Sequence, residues 1–219
     1  MEPDNKQKGG LGPSSEALLE RAYGLKTPED AKSLYRDWAT TYDQHLESGL
    51  GYRGPEKIAE LLSQYLNGRD ARILDVGCGT GLAGGYLAKR GCSNIDGLDF
   101  SPEMLAVAGR KAIYRELIEA DLEQPLDIET GSYDAAISCG TFTHGHVGPE
   151  ALGEIFRVLK SNAPFACTIH SHLWISSGFE RALLGFQALG QIEIAKVSDE
   201  AYFEGQGRDG KFCLFIKTA

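Results

Sequence analysis

The chain has 219 residues, of which 42% are hydrophobic and 24% charged, and its formal net charge at pH 7 is −9. This length and composition are typical of one globular domain with a large core. The acidic balance opposes sequence-independent nucleic-acid binding. No apolar run approaches the roughly 20 residues of a membrane span, and the polar N-terminus lacks a secretory signal. We therefore expect a cytoplasmic protein whose partners include neither nucleic acid nor membrane.

The five cysteines are odd in number, widely spaced and without a C-x-x-C pair; they are Cys78, Cys92, Cys139, Cys167 and Cys213. This pattern favours reduced thiols and argues against a disulfide framework or a zinc site. We therefore predict that the protein binds no metal.

The first third of the chain predicts a polar tail followed by helices. Residues 1–13 are rich in Gly, Pro, Lys and Asp, which indicates a disordered tail. Helix signals follow at Ser15, at Thr27-Pro28 and at Pro55. We interpret residues 14–219 as one domain in which residues 14–67 form a helical lid.

Three side chains of this lid are candidate ligand contacts. Trp38 and Tyr42 lie on one face of the predicted helix, so that Tyr42 would cover a cofactor and Trp38 a substrate. Aromatic faces attract a cation and exclude water, although core packing is the alternative for both. Arg53, in a glycine-rich loop, is predicted to hold a carboxylate of the cofactor or substrate; the alternative is a solvated arginine.

Residues 72–81 read Arg-Ile-Leu-Asp-Val-Gly-Cys-Gly-Thr-Gly and predict a buried strand, a tight turn and a helix start. Glycines at the carboxyl end of a parallel strand let backbone lie against a nucleotide-like ligand. We predict that this pocket is formed by residues of the turn, namely Asp75, Gly77, Cys78, Gly79 and Gly81.

The nature of the ligand depends on Asp75. Residues 79–84 satisfy G-x-G-x-x-G, and Asp99 lies twenty residues beyond Gly79, so the motif by itself fits a dinucleotide. A carboxylate inside the turn repels a pyrophosphate but suits an ammonium or a sulfonium. We therefore favour a cationic ligand, with an NAD(P)-dependent oxidoreductase as the alternative.

Acidic and apolar side chains at the ends of the next two strands complete this pocket. Asp99 ends the second strand and can accept hydrogen bonds from both ribose hydroxyls, whereas Ser101 already serves as the helix cap. Phe100 and Met104 are predicted to pack on the adenine. Asp121 would accept from its amino group and the Leu122 N–H would donate to a ring nitrogen; an ordinary turn is the alternative for Asp121.

The second half of the chain alternates strands and helices and ends in two strands at 191–197 and 211–217, too close for a helical crossover. It predicts a doubly wound α/β sheet with one reversed edge strand. His-x-His pairs follow the fourth and fifth strands. We predict His144 as a general base or substrate contact, and His146, His170 and His172 as substrate contacts.

The acid-x-Gly-x-Gly-x-Gly core resembles motif I of the class I S-adenosylmethionine (SAM) methyltransferases, and the order of acids and glycines fits this superfamily over about 190 residues. More narrowly, Tyr42-Asp43-Gln44, Tyr52-Arg53-Gly54-Pro55, residues 73–82 and residues 101–105 resemble the Williams–Beuren-region methyltransferase-like family. One departure is Ser161-Asn162-Ala163-Pro164, where such enzymes carry a Pro-Gly-Gly turn.

The resemblance implies a Rossmann-like seven-stranded sheet of order 3-2-1-4-5-7-6 with strand 7 antiparallel. It also implies SAM contacts from Gly77, Gly79, Asp99, Phe100, Asp121, Leu122 and Cys139. The expected activity is methyl transfer from SAM, with S-adenosylhomocysteine as the product.

The acceptor is expected to be a small molecule, because the net charge is acidic and no Asn/Asp-Pro-Pro-aromatic run follows the fourth strand. Its methylated atom, N, O or S, stays open. A non-catalytic SAM-binding regulator is a further alternative, and the expected assembly is a monomer or homodimer.

Overall fold

The computed structural model of the chain describes residues 14–24, 34, 36, 38–143 and 147–218. Helix α1 spans Ser15–Tyr23, and the Ser14 side chain caps it by accepting a hydrogen bond from the Ala17 N–H. A π-helix follows at Gln44–Gly49, and α2 spans Gly54–Ser63 with a proline in its first turn. The predicted tail at 1–13 and the helix start at Thr27 lie outside the described residues.

Seven strands form one sheet in the order β3-β2-β1-β4-β5-β7-β6. Strand β7 is antiparallel to both of its neighbours, whereas the other pairs are parallel. The predicted order and the reversed strand are confirmed. The strands are β1 Ile73–Val76, β2 Ile95–Asp99, β3 Glu116–Glu119, β4 Ala135–Phe142, β5 Pro164–His170, β6 Ile192–Glu200 and β7 Gly210–Lys217.

The remaining helices connect these strands and are α3 Leu82–Lys89, α4 Pro102–Arg110, α5 Ala151–Val158, α6 Ser171–Ser176 and α7 Phe179–Ala188. Two helices follow β5, because Gly178 takes a left-handed conformation with φ of 79° and interrupts the helical hydrogen bonding.

Apolar side chains on the two faces of the sheet form two cores. Phe165 packs with Phe156 and Phe215 on one face, whereas the next residue along β5, Ala166, faces the other core with Leu214. Successive side chains of a strand point to opposite faces, so both faces need an apolar cover in a doubly wound sheet. This arrangement leaves the carboxyl ends of β1, β2 and β4 open for a ligand.

The turn before β5 departs from the glycine-rich sequence that the resemblance implies. Asn162 occupies its left-handed position with φ of 65°, and its N–H donates to the Lys217 carbonyl at 2.7 Å. Asparagine tolerates this conformation better than most residues. The turn therefore keeps its geometry without glycine.

A buried carboxylate on β2 joins three strands. Asp96 is fully buried and accepts hydrogen bonds from Arg72, Arg115 and the Tyr133 hydroxyl. Burial by itself raises the pKa of Asp96, but these hydrogen bonds outweigh it and hold the pKa below its ordinary value. No local sequence pattern predicts this network, because its other members are 19 to 37 residues away from Asp96 along the chain.

We expect Arg115→Met to destabilise the protein by roughly 1–2 kcal/mol at pH 7, since it removes two charged hydrogen bonds from a half-exposed arginine. A lowered carboxyl pKa contributes stability that is present above the unfolded pKa and lost as pH falls through the folded pKa. The variant raises the folded pKa of Asp96, so its acid unfolding begins at a higher pH. Urea unfolding between pH 3 and 7 measures the free energy of unfolding and its dependence on pH.

The matched control for this experiment is Arg110→Met, because Arg110 is exposed on α4 and forms no ion pair with any described residue. It should change neither the unfolding free energy nor its pH dependence. Equal curves for the two variants would contradict a stabilising role for the Asp96 network.

Candidate functional site

A cavity of about 670 Å³ lies at the carboxyl ends of β1, β2 and β4, where ligands bind in open α/β sheets. It is lined by the glycine turn and by the segments that follow three strands. The described lining residues are Tyr42, Tyr52, Pro55, Asp75, Gly77, Cys78, Gly79, Thr80, Leu82, Ala83, Asp99, Phe100, Met104, Glu119, Ala120, Asp121, Leu122, Glu123, Cys139, Gly140, Thr141 and Val147.

The first two glycines of the turn serve different purposes. Gly77 and Gly79 both have positive φ, 64° and 53°. A Cβ on Gly77 would lie 2.8 Å from Cγ2 of Thr141, whereas a Cβ on Gly79 would meet nothing within 4 Å. Gly77 is therefore required by the packing of β4 against the turn, and Gly79 leaves bare backbone next to the open cavity.

Gly81, predicted to contact the cofactor, is not among the described lining residues. It begins α3 with φ of 88°, and a Cβ there would lie 2.8 Å from Cε2 of Tyr114. A Cβ on Gly84 would lie 2.7 Å from Cζ of the same ring. The last two glycines of the apparent G-x-G-x-x-G motif thus make room for a tyrosine.

Asp99 connects β2 to the glycine turn. It is 7% exposed, its Oδ2 accepts from the Gly79 N–H at 2.8 Å, and its Oδ1 accepts from the Ser101 N–H at 2.9 Å. Burial raises the pKa of Asp99, although the backbone hydrogen bonds oppose this shift. Each oxygen keeps a further lone pair for hydroxyl groups of a ligand.

Asp75 presents a buried carboxylate at the wall of the cavity. Its Oδ2 accepts from the Tyr114 hydroxyl at 2.6 Å and from the Gly84 N–H at 2.9 Å. Its Oδ1 has no hydrogen-bond partner among the described residues. Burial raises the pKa of Asp75 to about 6. A buried carboxylate oxygen left without a donor suits a ligand that brings a cationic donor.

The predicted adenine pocket is brought together at one end of the cavity. Phe100, Met104, Asp121 and Leu122 all line it. Met104 and Leu122 are buried, whereas Asp121 is exposed and its Oδ1 accepts from the Glu123 N–H at 2.9 Å. This arrangement combines an apolar slot with a polar edge, as a purine requires.

The other end of the cavity, where β4 ends, is uncharged among the residues described. Tyr52 and Cys139 face each other there, with the hydroxyl 3.3 Å from Sγ. Burial raises the pKa of Tyr52 well above its ordinary value and that of Cys139 to about 12. Both groups therefore stay protonated at neutral pH. Tyr52 was not predicted as a site residue, since nothing local places it beside Cys139.

A segment of the predicted lid is tied to the glycine turn. Asp43 accepts a hydrogen bond from the Thr80 hydroxyl and forms an ion pair with Lys111 at 2.6 Å. Tyr42, its neighbour, lines the cavity as predicted. The lid role of residues 14–67 and the single-domain division stay predictions, and residues 25–33 lie outside the described part.

Two other predicted lid contacts lie elsewhere. The Arg53 guanidinium pairs with Glu204 and with Glu56, and it does not line the cavity. Trp38 is buried, and its Nε1 donates to Nδ1 of His45 at 2.9 Å. Neither side chain reaches the cofactor end of the cavity in this structure.

The predicted histidines are only partly described. His170 caps α6 through Nδ1, which accepts from the His172 N–H, and its ring stacks on Tyr202. Neither His170 nor His172 is among the described lining residues. His144 and His146 lie outside the described residues, so the proposal of a base at His144 stays a prediction. No described cluster of His, Cys, Asp and Glu forms a metal site.

The donors and acceptors of this cavity fit an adenosyl cofactor with a cationic amino-acid end. Gly79, Asp99 and Asp75 all line the cavity, and Oδ1 of Asp75 has no partner among the described residues. Residues 74–167 match the family model of a methyltransferase domain. Methyltransferase-like protein 27 of Homo sapiens is 34% identical over 153 residues, covering 68% of this chain and 62% of that protein.

The matched part of the chain is a methyltransferase domain of the class I SAM-dependent superfamily. SAM is the cofactor of this superfamily. A chain in the solved complex between the Trm112 methyltransferase activator of Haloferax volcanii and a methyltransferase has a TM-score of 0.66 and 20% identity, covering 84% of this chain and 98% of that chain. This likeness supports the fold.

The prediction of a small-molecule acceptor without nucleic acid is contradicted by further relatives of this methyltransferase. The 18S rRNA (guanine(1575)-N(7))-methyltransferase of Saccharomyces cerevisiae is 42% identical over 123 residues, covering 55% of this chain and 42% of that protein. EEF1A lysine methyltransferase 2 of Homo sapiens is 28% identical over 171 residues, covering 71% of this chain and 72% of that protein. Net charge is a sum over the whole surface and does not decide the acceptor class.

The chain spans less than two thirds of Methyltransferase-like protein 27 and of the 18S rRNA methyltransferase of Saccharomyces cerevisiae, 62% and 42% of their lengths. In the part of this chain that is described, no helix is both long and apolar enough to cross a membrane.

Proposed function

We propose that this methyltransferase transfers a methyl group from SAM to a nitrogen of a macromolecule, and that its acceptor is an amine on a protein. The observation that carries the cofactor assignment is Oδ1 of Asp75, which has no partner in the described part of the chain, together with the bare backbone of Gly79 at the same cavity. Asp75 would hold the amino group of the cofactor, and Asp99 would hold its ribose.

One observation supports a protein acceptor. The alignment with the EEF1A lysine methyltransferase covers 71% of this chain and 72% of that protein, so it extends beyond the cofactor-binding part.

The chemistry at the β4 end of the cavity suits a nitrogen nucleophile. SAM supplies an electrophilic methyl group on its sulfonium when it is bound. The side chains of Tyr52, Cys139 and Thr141 at this end carry no charge, because burial keeps the first two protonated. Burial disfavours an ammonium, so an entering amine releases its proton to solvent and becomes nucleophilic. Positioning of this kind can supply on the order of 7–11 kcal/mol.

A second candidate acceptor is a ring nitrogen of an RNA base. It is favoured by the 42% identity to the 18S rRNA guanine-N7 methyltransferase. A ring nitrogen with a free lone pair needs no base, and the ring of Tyr42 at the cavity offers a stacking surface.

The test is transfer of an isotope-labelled methyl group from SAM to an extract of the source cells, followed by separation of protein from RNA. We expect label in protein, recovered as a methylated amine after hydrolysis. Label in RNA would support the second candidate instead. SAM binding without any labelled product would indicate a regulator, and binding of NADH without SAM would indicate the oxidoreductase alternative.

A further inference from the structure

We propose that Tyr114 is a positioning residue that acts through Asp75 and makes the cofactor site select ligands that carry an amino group. This inference rests on the proposed binding of SAM. Tyr114 lies between α4 and β3 and is not among the described residues that line the cavity. It therefore acts on a ligand through the groups that it contacts, and its hydroxyl donates to the carboxylate of Asp75.

Three glycines on two elements leave room for the Tyr114 ring. A Cβ on Gly81 or Gly84, at the start of α3, would lie 2.8 or 2.7 Å from atoms of this ring. A Cβ on Gly97, in β2, would lie 3.0 Å from its Cε1, and closer still to Cδ2 of Leu117 and Sγ of Cys78, at 2.8 and 2.9 Å. These distances are shorter than van der Waals contacts, so each position needs glycine while the tyrosine occupies this place.

The hydroxyl of Tyr114 fixes the orientation of Asp75. It donates to Oδ2 at 2.6 Å, and the Gly84 N–H donates to the same oxygen at 2.9 Å. With Oδ2 doubly occupied, Oδ1 is the oxygen left to accept from a ligand, and it has no partner within the described part of the chain. Oδ1 is itself buried, but Asp75 lines the cavity, so the proposal places the ammonium group of the ligand against this carboxylate at the cavity wall.

The same contact sets the charge of Asp75 near neutral pH. Burial raises the pKa of Asp75 to about 6, the Tyr114 hydroxyl and the Gly84 N–H lower it, the Asp99 charge raises it and the Lys111 charge lowers it. The neighbouring thiols of Cys78 and Cys139 have raised pKa values and stay neutral. Removal of the Tyr114 hydroxyl leaves the ring in place and raises the pKa of Asp75 further.

The test compares ligands with and without the amino-acid end in the variant Tyr114→Phe. We expect SAM and S-adenosylhomocysteine to bind about tenfold more weakly by calorimetry. The affinity for 5′-methylthioadenosine, which lacks the α-amino group of the amino-acid end, should stay within about twofold of wild type. SAM binding weakens as Asp75 becomes protonated, so the pH below which affinity falls should be higher in the variant.

Tyr133→Phe is the matched control, because the Tyr133 hydroxyl donates to Asp96 away from the cavity. It removes the same type of hydrogen bond and should leave the SAM affinity and its pH dependence unchanged. Asp75→Asn is a second test that does not depend on the tyrosine ring, and it should also weaken SAM relative to 5′-methylthioadenosine.

Equal weakening of SAM and 5′-methylthioadenosine in Tyr114→Phe would overturn the proposal, because it would show a purely structural role. Unchanged affinity for all three ligands in this variant would overturn it too, as would an unchanged ligand preference in Asp75→Asn. A wild-type protein that binds neither SAM nor S-adenosylhomocysteine would refute the proposed function itself and this inference with it.

Discussion

The variant Asp99→Asn is expected to bind SAM at least about 100-fold more weakly than the wild type. The proposed role gives Asp99 two charged hydrogen bonds to ribose hydroxyls, each worth roughly 1.5–3 kcal/mol. The asparagine amide also places an NH₂ group against the Gly79 or Ser101 N–H, both of which donate to Asp99 in the structure. Calorimetric titration with SAM measures the loss.

A comparison of SAM with 5′-methylthioadenosine also distinguishes the proposed role of Asp99 from that of Tyr114. Since 5′-methylthioadenosine retains the ribose, Asp99→Asn should weaken its binding by the same factor as the binding of SAM. The control is Asp121→Asn, because this exposed carboxylate is predicted to accept one hydrogen bond from adenine. This control variant should weaken SAM binding by less than about tenfold. A similar loss in both variants would contradict the assignment of Asp99 to the ribose.

The second large effect is on stability. We expect Gly77→Ala to lower the free energy of unfolding by roughly 2–5 kcal/mol. A non-glycine residue at φ of 64° costs about 1–2 kcal/mol. The new methyl group also lies 2.8 Å from Cγ2 and 3.0 Å from Cβ of Thr141, and overpacking of this kind costs about 1–3 kcal/mol. Urea denaturation without ligand measures the change.

Gly79→Ala is the matched control for this prediction. Its φ of 53° imposes the same backbone cost, but its Cβ would meet nothing within 4 Å. It should therefore cost only about 1–2 kcal/mol. If the two variants were equally stable, the contact with Thr141 would not explain why residue 77 is glycine.

Much of the fold could be predicted because its signals are local. The apolar run before Asp75, the glycines after it and the cap at Ser101 are properties of neighbouring residues. Each predicts its own strand, turn or helix without knowledge of the rest.

The roles of individual glycines could not be predicted in this way. Gly79 and Gly81 look equivalent in the motif, but one borders the cavity and the other faces Tyr114. The difference depends on a ring that lies 33 residues beyond Gly81 in the sequence. A spacing rule counts glycines along the chain and contains no information about what packs against them.

The amino-acid sequence by itself determined the doubly wound architecture and the acidic, glycine-lined pocket for a cationic nucleoside, because chain periodicity and backbone freedom are encoded residue by residue. Only the tertiary structure decided how the side chains are paired: Arg53 with Glu204, Thr80 with Asp43, and Tyr114 with Asp75. These partners are 151, 37 and 39 residues apart. Their contacts follow from how helices and loops pack on the sheet, which no local pattern specifies.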